Sequence, residues 1–217
     1  MALDTTPDPN GSLVLSYLEL RKSIGTIGIL LPWVVSIGKI ILQSPGILGS
    51  ISAYYYSVMG NVFVGSLCAI GVFLWSYKGY DRRDAIAGNI AALFSIGVAL
   101  FPTPPESGAT TVQIMIGDIH TIAALGFFLT LAFFALALFR KTHSTVPPTR
   151  MKIIRNIVYT ICGYTILLAV AAIAALQLLP ADAPIFALSP VFWLESIAII
   201  AFGFSWFVKG EAILKDD

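Results

Sequence analysis

The sequence predicts an all-α, polytopic membrane helix bundle of six transmembrane helices with both termini in the cytoplasm. Three observations lead there. Of the 217 residues, 57% are hydrophobic and only 12% are charged, about half the charged fraction of an ordinary soluble domain. The apolar residues gather into six continuous runs, each long enough to span a bilayer. Of the 13 Lys and Arg, only Lys39 leaves the side shared by the other twelve when six spans are drawn. The same numbers exclude a cytosolic globular protein, a disordered chain and a nucleic-acid binder, since a net charge of +1 steers nothing onto a polyanion. The two cysteines, Cys68 and Cys162, lie in separate apolar runs, so no disulfide framework or Cys-x-x-Cys knuckle is expected.

A crossing helix needs about 20 mostly apolar residues, because the hydrocarbon core is about 30 Å thick and a helix rises about 1.5 Å per residue. The runs fall at residues 24–43, 60–77, 85–101, 112–139, 157–179 and 190–208. Closed β-barrels would show short alternating stretches instead. Before the first span, residues 1–23 read as a cytoplasmic tail with an interfacial amphipathic turn over 12–20. No cleavable signal is expected from so acidic and polar a start. Pro32 should kink the first span. The second and sixth spans end alike, in Trp75-Ser-Tyr-Lys78-Gly79 and Trp206-Phe-Val-Lys209-Gly210. In both, the Trp is expected at the headgroups, the Lys snorkelling and the Gly in a left-handed cap. Asp81 or Asp84 should cap the third span. Asn89 with Gly88 and Ala92 should give that span a small, hydrogen-bonding face, and 169–175 should pack closely in the fifth. Residues 24–208 thus form the membrane domain and 209–217 a second cytoplasmic tail. By the positive-inside rule the basic side is cytoplasmic, and the expected location of this multi-pass chain is the cell inner membrane.

Ionisable groups are costly inside hydrocarbon, about 2.5–3.5 kcal/mol each on insertion scales, and mark candidate sites. Four fall within spans: Lys39, Asp118, His120 and Glu195. Counted from the span ends, all lie at similar depth, roughly 6–12 Å below the outer boundary. Lys39 could pair with Glu195 or Asp118. The expectation is an outward-opening polar pocket with these four at its floor or wall. Against it stands a plainer reading, in which Lys39 snorkels and Asp118 is interfacial. Residues two apart on a helix point about 200° apart, so Asp118 and His120 cannot share one narrow seam. The run Ser50-Ile-Ser52-Ala-Tyr54-Tyr55-Tyr56-Ser57 has two readings. Tyr54, Tyr55 and Tyr56 are ordinary interfacial belt residues, or the segment folds back as a lid and lends Ser52 and the three tyrosines to the pocket. Trp193 would wall the same site. Cys68 and Cys162 read as apolar packers.

Several chemistries are excluded. A b-type haem normally takes two intramembrane histidines, and a His-rich zinc site needs more than one; only His120 lies in a span. No P-loop, Gly-x-Ser-x-Gly or His-Glu-x-x-His pattern occurs. No cofactor and no metal is therefore expected.

The segments Leu13-Val-Leu-Ser-Tyr-Leu-Glu-Leu-Arg21, Ser50-Ile-Ser-Ala-Tyr-Tyr-Tyr, Asn61-Val-Phe-Val-Gly, Gly79-Tyr-Asp-Arg-Arg, Val98-Ala-Leu-Phe-Pro and Phe192-Trp-Leu-Glu195 together resemble a group of bacterial six-span membrane proteins, usually left as hypothetical. The resemblance covers nearly the whole chain and implies the fold but no activity. The architecture is more distantly similar to FRAG/DRAM-like multispan proteins and to the ceramidase and adiponectin-receptor superfamily. The latter's zinc hydrolysis is not carried over, because its three histidines are absent here.

Four functions remain open. The pocket binds a lipid headgroup or small polar ligand; the chain is a structural subunit with protein partners in the bilayer; it carries ions or protons; or it modifies lipid, with His120 and Glu195 as an acid/base pair. The first two rank together, then transport, then the enzyme, for which no nucleophile is evident. Membrane lipid is the expected partner, and nucleic acid is not.

Overall fold

The computed structural model describes residues 9–79, 81–105, 107–141, 147–180 and 182–214, with side chains from Tyr17 onward. Among these residues every regular element is helical. The main helices are α1 (Pro9–Leu42), α2 (Gly60–Ser76), α3 (Arg82–Leu100), α4 (Thr111–Phe133), α5 (Arg150–Leu176) and α6 (Pro190–Lys209). Five are long and apolar enough to cross a membrane; α2, with 17 residues, is the shorter one. The surface agrees with that reading. Leu93 is 69% exposed, Leu168 70% and Ile122 66%. Apolar side chains so displayed on most helices suit acyl chains rather than water.

Each helix packs against the next in sequence, and α6 closes back on α1, so the six form a ring. Long-range contacts fix the direction of each. The C-terminal ends of α1 and α3 and the N-terminal ends of α2, α4 and α6 meet at one end, the lid end. The opposite, basic end gathers Tyr17 and Arg21 of α1, Tyr77 beyond α2, Lys152 and Tyr159 of α5, and Trp206 and Lys209 of α6. The helices therefore alternate up and down.

The closest approach in the ring is between α1 and α6. A Cβ added to Gly203 would stand 2.7 Å from the Gly25 carbonyl oxygen and 2.7 Å from the Ile29 amide. Only glycine lets the two backbones touch there, the packing mode common where lipid cannot drive helices together. The small face of α3 is present, with Gly88 and Ala92 buried, but Asn89 points outward and makes no interhelical bridge. In α5 only Ala169 of the expected small stretch is buried; Ala171, Ala174 and Ala175 face out.

Other local expectations separate in the same way. Asp81 and Asp84 make a reciprocal capping box at the start of α3. No separate interfacial turn precedes the first span: α1 is continuous from Pro9, and Tyr17 stacks on Tyr77 within the bundle. The helix also continues through Pro32, whose missing N–H leaves the Gly28 carbonyl without its intrahelical donor. The chain of α4 runs on through one π-turn, Phe134–Leu138, which sets Phe134 tilted and Phe139 edge-on against Trp206. The two Trp-x-x-Lys-Gly endings take opposite forms. Trp75 and Lys78 are exposed and Gly79 has φ +59, as expected. Trp206 is wholly buried, Lys209 is 8% exposed and lies over the Phe139 ring, and Gly210 has an ordinary φ of −80. The end of α2 faces outward, whereas the end of α6 faces the ring interior.

Candidate functional site

The candidate site lies at the lid end and is organised by residues 44–59, between α1 and α2. This segment folds inward. Residues Ser52–Tyr56 make a short 3₁₀ helix across the end of the ring. Such a helix turns about every three residues, so the three consecutive tyrosines point in three directions. Tyr54 is buried, its ring beside Phe192 and its hydroxyl accepting from the Leu48 amide at 3.2 Å. Burial raises the Tyr54 phenol above its ordinary pKa, against the lowering effect of that amide. Tyr55 is half-buried against the edge of Tyr56. Tyr56 is exposed and donates to the Thr103 carbonyl at 2.8 Å, tying the lid to the α3–α4 loop. The lid and belt readings of this run each describe some of its residues.

Two intramembrane side chains hold the lid. Glu195, near the start of α6, accepts from the Ile51 amide at 2.6 Å, and the Ser52 amide faces the same carboxylate. His120 of α4 is 4% exposed and bridges two partners. Its Nδ1 lies 2.6 Å from the Phe101 carbonyl and its Nε2 lies 3.0 Å from Ser52 Oγ. A carbonyl oxygen can only accept, so Nδ1 carries the proton. In the neutral ring Nε2 is then an acceptor, and the Ser52 hydroxyl donates to it. A third tie joins backbones: the Phe192 amide, in the first turn of α6, donates to the Gly49 carbonyl at 2.9 Å.

Beneath Ile51 and Ser52 lies a cavity of about 40 Å³, at the centre of the ring. Glu195 and Ser52 are at its lid side, and its wall is apolar, with Leu31, Phe63, Leu67 and Phe127. That volume holds a water molecule or two, about 10–15 Å³ of probe-occupied space being needed for one. Polar chemistry stops at the lid side. Ser95, deeper in the bundle, donates its hydroxyl to the Leu67 carbonyl at 2.8 Å, and Asn89 faces outward.

Of the nine expected site residues, Ser52, His120 and Glu195 converge, while Tyr54 is buried in the lid beside Phe192 and does not line the cavity. Tyr55 packs against Tyr56, and four others lie elsewhere. Lys39 is buried but donates to the Pro45 and Gly46 carbonyls, and among the described residues it pairs with no carboxylate. The reason is reach: the chain turns sharply after Leu42, and these two carbonyls lie nearer than any acid. Asp118 is exposed, on the far side of α4 from His120, as a helix requires of residues two apart. Trp193 is 45% exposed and stands edge-on to Phe192, outside the cavity wall. Tyr56 lies on the outer surface of the lid.

The parts that sequence reasoning missed are backbone groups: the Ile51 amide and the Phe101 carbonyl. A signal for the second existed. Pro102 stops α3, leaving carbonyls of its last turn without intrahelical donors and open to a side chain such as His120.

At the basic end, Lys141 bridges Asp81 and the fully buried Asp84, 3.0 Å from each. The Lys141 hydrogen bond, with backbone amides adding to it, holds the Asp81 carboxyl below the usual carboxylate range. Desolvation works against the Lys141 charge, but the two carboxylates outweigh it and hold its pKa above the ordinary value.

Comparison of the chain with protein-family models, curated proteins and solved structures finds no match.

Proposed function

We propose that the chain is a multi-pass inner-membrane protein of six spans with cytoplasmic termini, whose outward-facing site, closed by residues 44–59, binds a lipid headgroup or a small polar ligand. The observation that carries this reading is the lid itself. Two costly polar side chains, His120 and Glu195, are spent on consecutive residues of one loop, Ser52 and Ile51, rather than on each other. A loop held by a few hydrogen bonds above a cavity is a segment that a ligand can displace, taking over the same donors and acceptors. The distribution of cations supports the orientation: twelve of 13 sit at one side of a six-span arrangement.

Transport gains little support. Below Glu195 and Ser52 the cavity wall is apolar, Ser95 is already bonded, and Asn89 lies outside.

The test is ligand-dependent stability in lipid nanodiscs. The full chain and its Glu195→Ala variant are titrated with phosphatidylglycerol, phosphatidylethanolamine and glycerol phosphate, and unfolding is followed. The reading expects at least one of these to raise Tm in the unaltered chain and to lose that effect in Glu195→Ala. Equal shifts in the two proteins would remove the site.

A further inference from the structure

We infer that Ser52 and His120 are a nucleophile and its base, cleaving an ester carried by an amphiphile that is admitted when the lid loosens and the small cavity beneath them widens. This rests on the ligand-site reading and names its substrate class.

Direction of hydrogen bonding is the first support. With Nδ1–H committed to the Phe101 carbonyl at 2.6 Å, the Nε2 lone pair faces Ser52 Oγ at 3.0 Å. A neutral imidazole so placed can take the hydroxyl proton as oxygen attacks. The Phe101 carbonyl is a positioning group. It fixes tautomer and ring angle, the part that a buried carboxylate plays in the familiar triad.

The surroundings are the second support. Ser52 itself lines the cavity, together with Leu31, Phe63, Leu67, Phe127 and Ile199. As closed, the cavity has room for the hydrolytic water alone, and its apolar wall favours an ester with an apolar chain once the lid loosens. Third, the Ile51 amide donates to the Glu195 carboxylate at 2.6 Å, and the Ser52 amide faces the same acceptor. Amides that converge on an anionic oxygen can stabilise the oxyanion of acyl transfer. In the closed state Glu195 occupies that place. It acts as a latch, and a substrate carbonyl reaches the amides when Glu195 withdraws and the lid loosens.

The chemistry balances with water as co-reactant. Ser52 Oγ bonds to the ester carbonyl carbon while its proton passes to Nε2 of His120. The bond to the alcohol oxygen breaks, and that oxygen takes the proton. Water then attacks acyl-Ser52, its proton passing through His120 to the Ser52 oxygen as the acid leaves. One ester and one water give one acid and one alcohol.

The experiment treats the full-length chain in nanodiscs with a long-chain alkyl fluorophosphonate and reads adducts by peptide mass spectrometry. The expected result is a single adduct on Ser52, absent in Ser52→Ala, slowed about 100-fold in His120→Gln and accelerated several-fold in Glu195→Gln. The inference is overturned if Ser52 stays unmodified in both the unaltered chain and Glu195→Gln while each unfolds cooperatively. An adduct formed at the same rate in His120→Gln also overturns it. Should His120→Gln fail to fold, the pH profile of labelling in the unaltered chain decides. A rate that falls in acid through one ionisation supports the imidazole base, and a flat profile refutes it. Lipid-dependent stabilisation without any adduct would end the ester chemistry and leave the binding site standing.

Discussion

Removing the His120 imidazole tests the lid architecture directly. In His120→Leu the Phe101 carbonyl and the Ser52 hydroxyl each lose the partner that now lies 2.6 and 3.0 Å away. Leaving a buried polar group unpaired costs about 1–3 kcal/mol, so the two together should cost about 2–6 kcal/mol, a little less if Ser52 turns to a backbone acceptor. Ser52→Ala orphans only Nε2 and should cost about 1–2 kcal/mol. The double variant no longer carries a stranded hydroxyl. Its destabilisation should therefore fall short of the sum of the two singles, by about 0.6 kcal/mol and at most about 1.7 kcal/mol, the average and the maximum for hydrogen bonds between membrane helices. Reversible unfolding in mixed micles of lipid and detergent gives the three free energies. Limited proteolysis of residues 44–59 gives a second readout, which should rise in each single variant. Strict additivity, with unchanged protection of the lid, would refute the reasoning: His120 would then be tied to α3 alone.

Other expectations follow from the same geometry. Gly203→Ala sets a methyl 2.7 Å from backbone atoms of α1 that cannot move singly, so α1 and α6 must part by about 0.5 Å or more, forfeiting a quarter or more of the local dispersion energy. A loss of about 1–3 kcal/mol in micellar unfolding is expected, and an unchanged Tm would refute the contact. Asp84→Ala removes the acceptor for both Lys141 and the Asp81 amide; with Lys141 30% exposed, a cost of about 1–2 kcal/mol is expected, recovered in part by Asp84→Asn. The pH dependence of this cluster has a fixed sign. Asp81, with its lowered pKa, stabilises the fold above its unfolded value and loses that contribution as pH falls through its folded one. Lys141, with its raised pKa, stabilises the fold below 10.5 and loses that contribution as pH rises through its folded value. The cluster should thus hold at neutral pH and weaken in both acid and strong base, a profile that Asp81→Asn with Lys141→Met flattens. Finally, Gly49 is exposed with open space for a Cβ. In a chain with Cys68 and Cys162 replaced, an impermeant maleimide should label Gly49→Cys from outside the cell and Arg150→Cys only after permeabilisation; the reverse pattern would invert the proposed orientation.

Much of the site was legible as residue types and depth. A histidine and a glutamate within apolar runs are expensive, so both had to find partners, and both did. Two of these partners were not legible, because they are a main-chain amide and a main-chain carbonyl, groups that almost every residue carries. Lys39 and Asp118 met the same depth criterion and lie elsewhere. Depth along a helix is counted from the sequence, whereas the azimuth that turns a side chain inward depends on which neighbours surround it. The contact between Ser52 and His120 was not legible for this reason: they are 68 residues apart, and only the folded lid brings them together.

What the sequence determined alone is what lipid dictates to each segment separately. Where hydrocarbon surrounds a backbone, its polar groups must pair within the helix, so composition and run length suffice to place helices, and local capping residues such as Asp81 and Asp84 suffice to start them. Tertiary structure decided everything that depends on two segments meeting. The endings Trp75 to Gly79 and Trp206 to Gly210 share their pattern, yet one lies at the outer surface and the other closes the ring interior. A residue pattern fixes how a chain turns locally; which face is covered depends on the helices packed beside it, and that information is distributed over the whole ring.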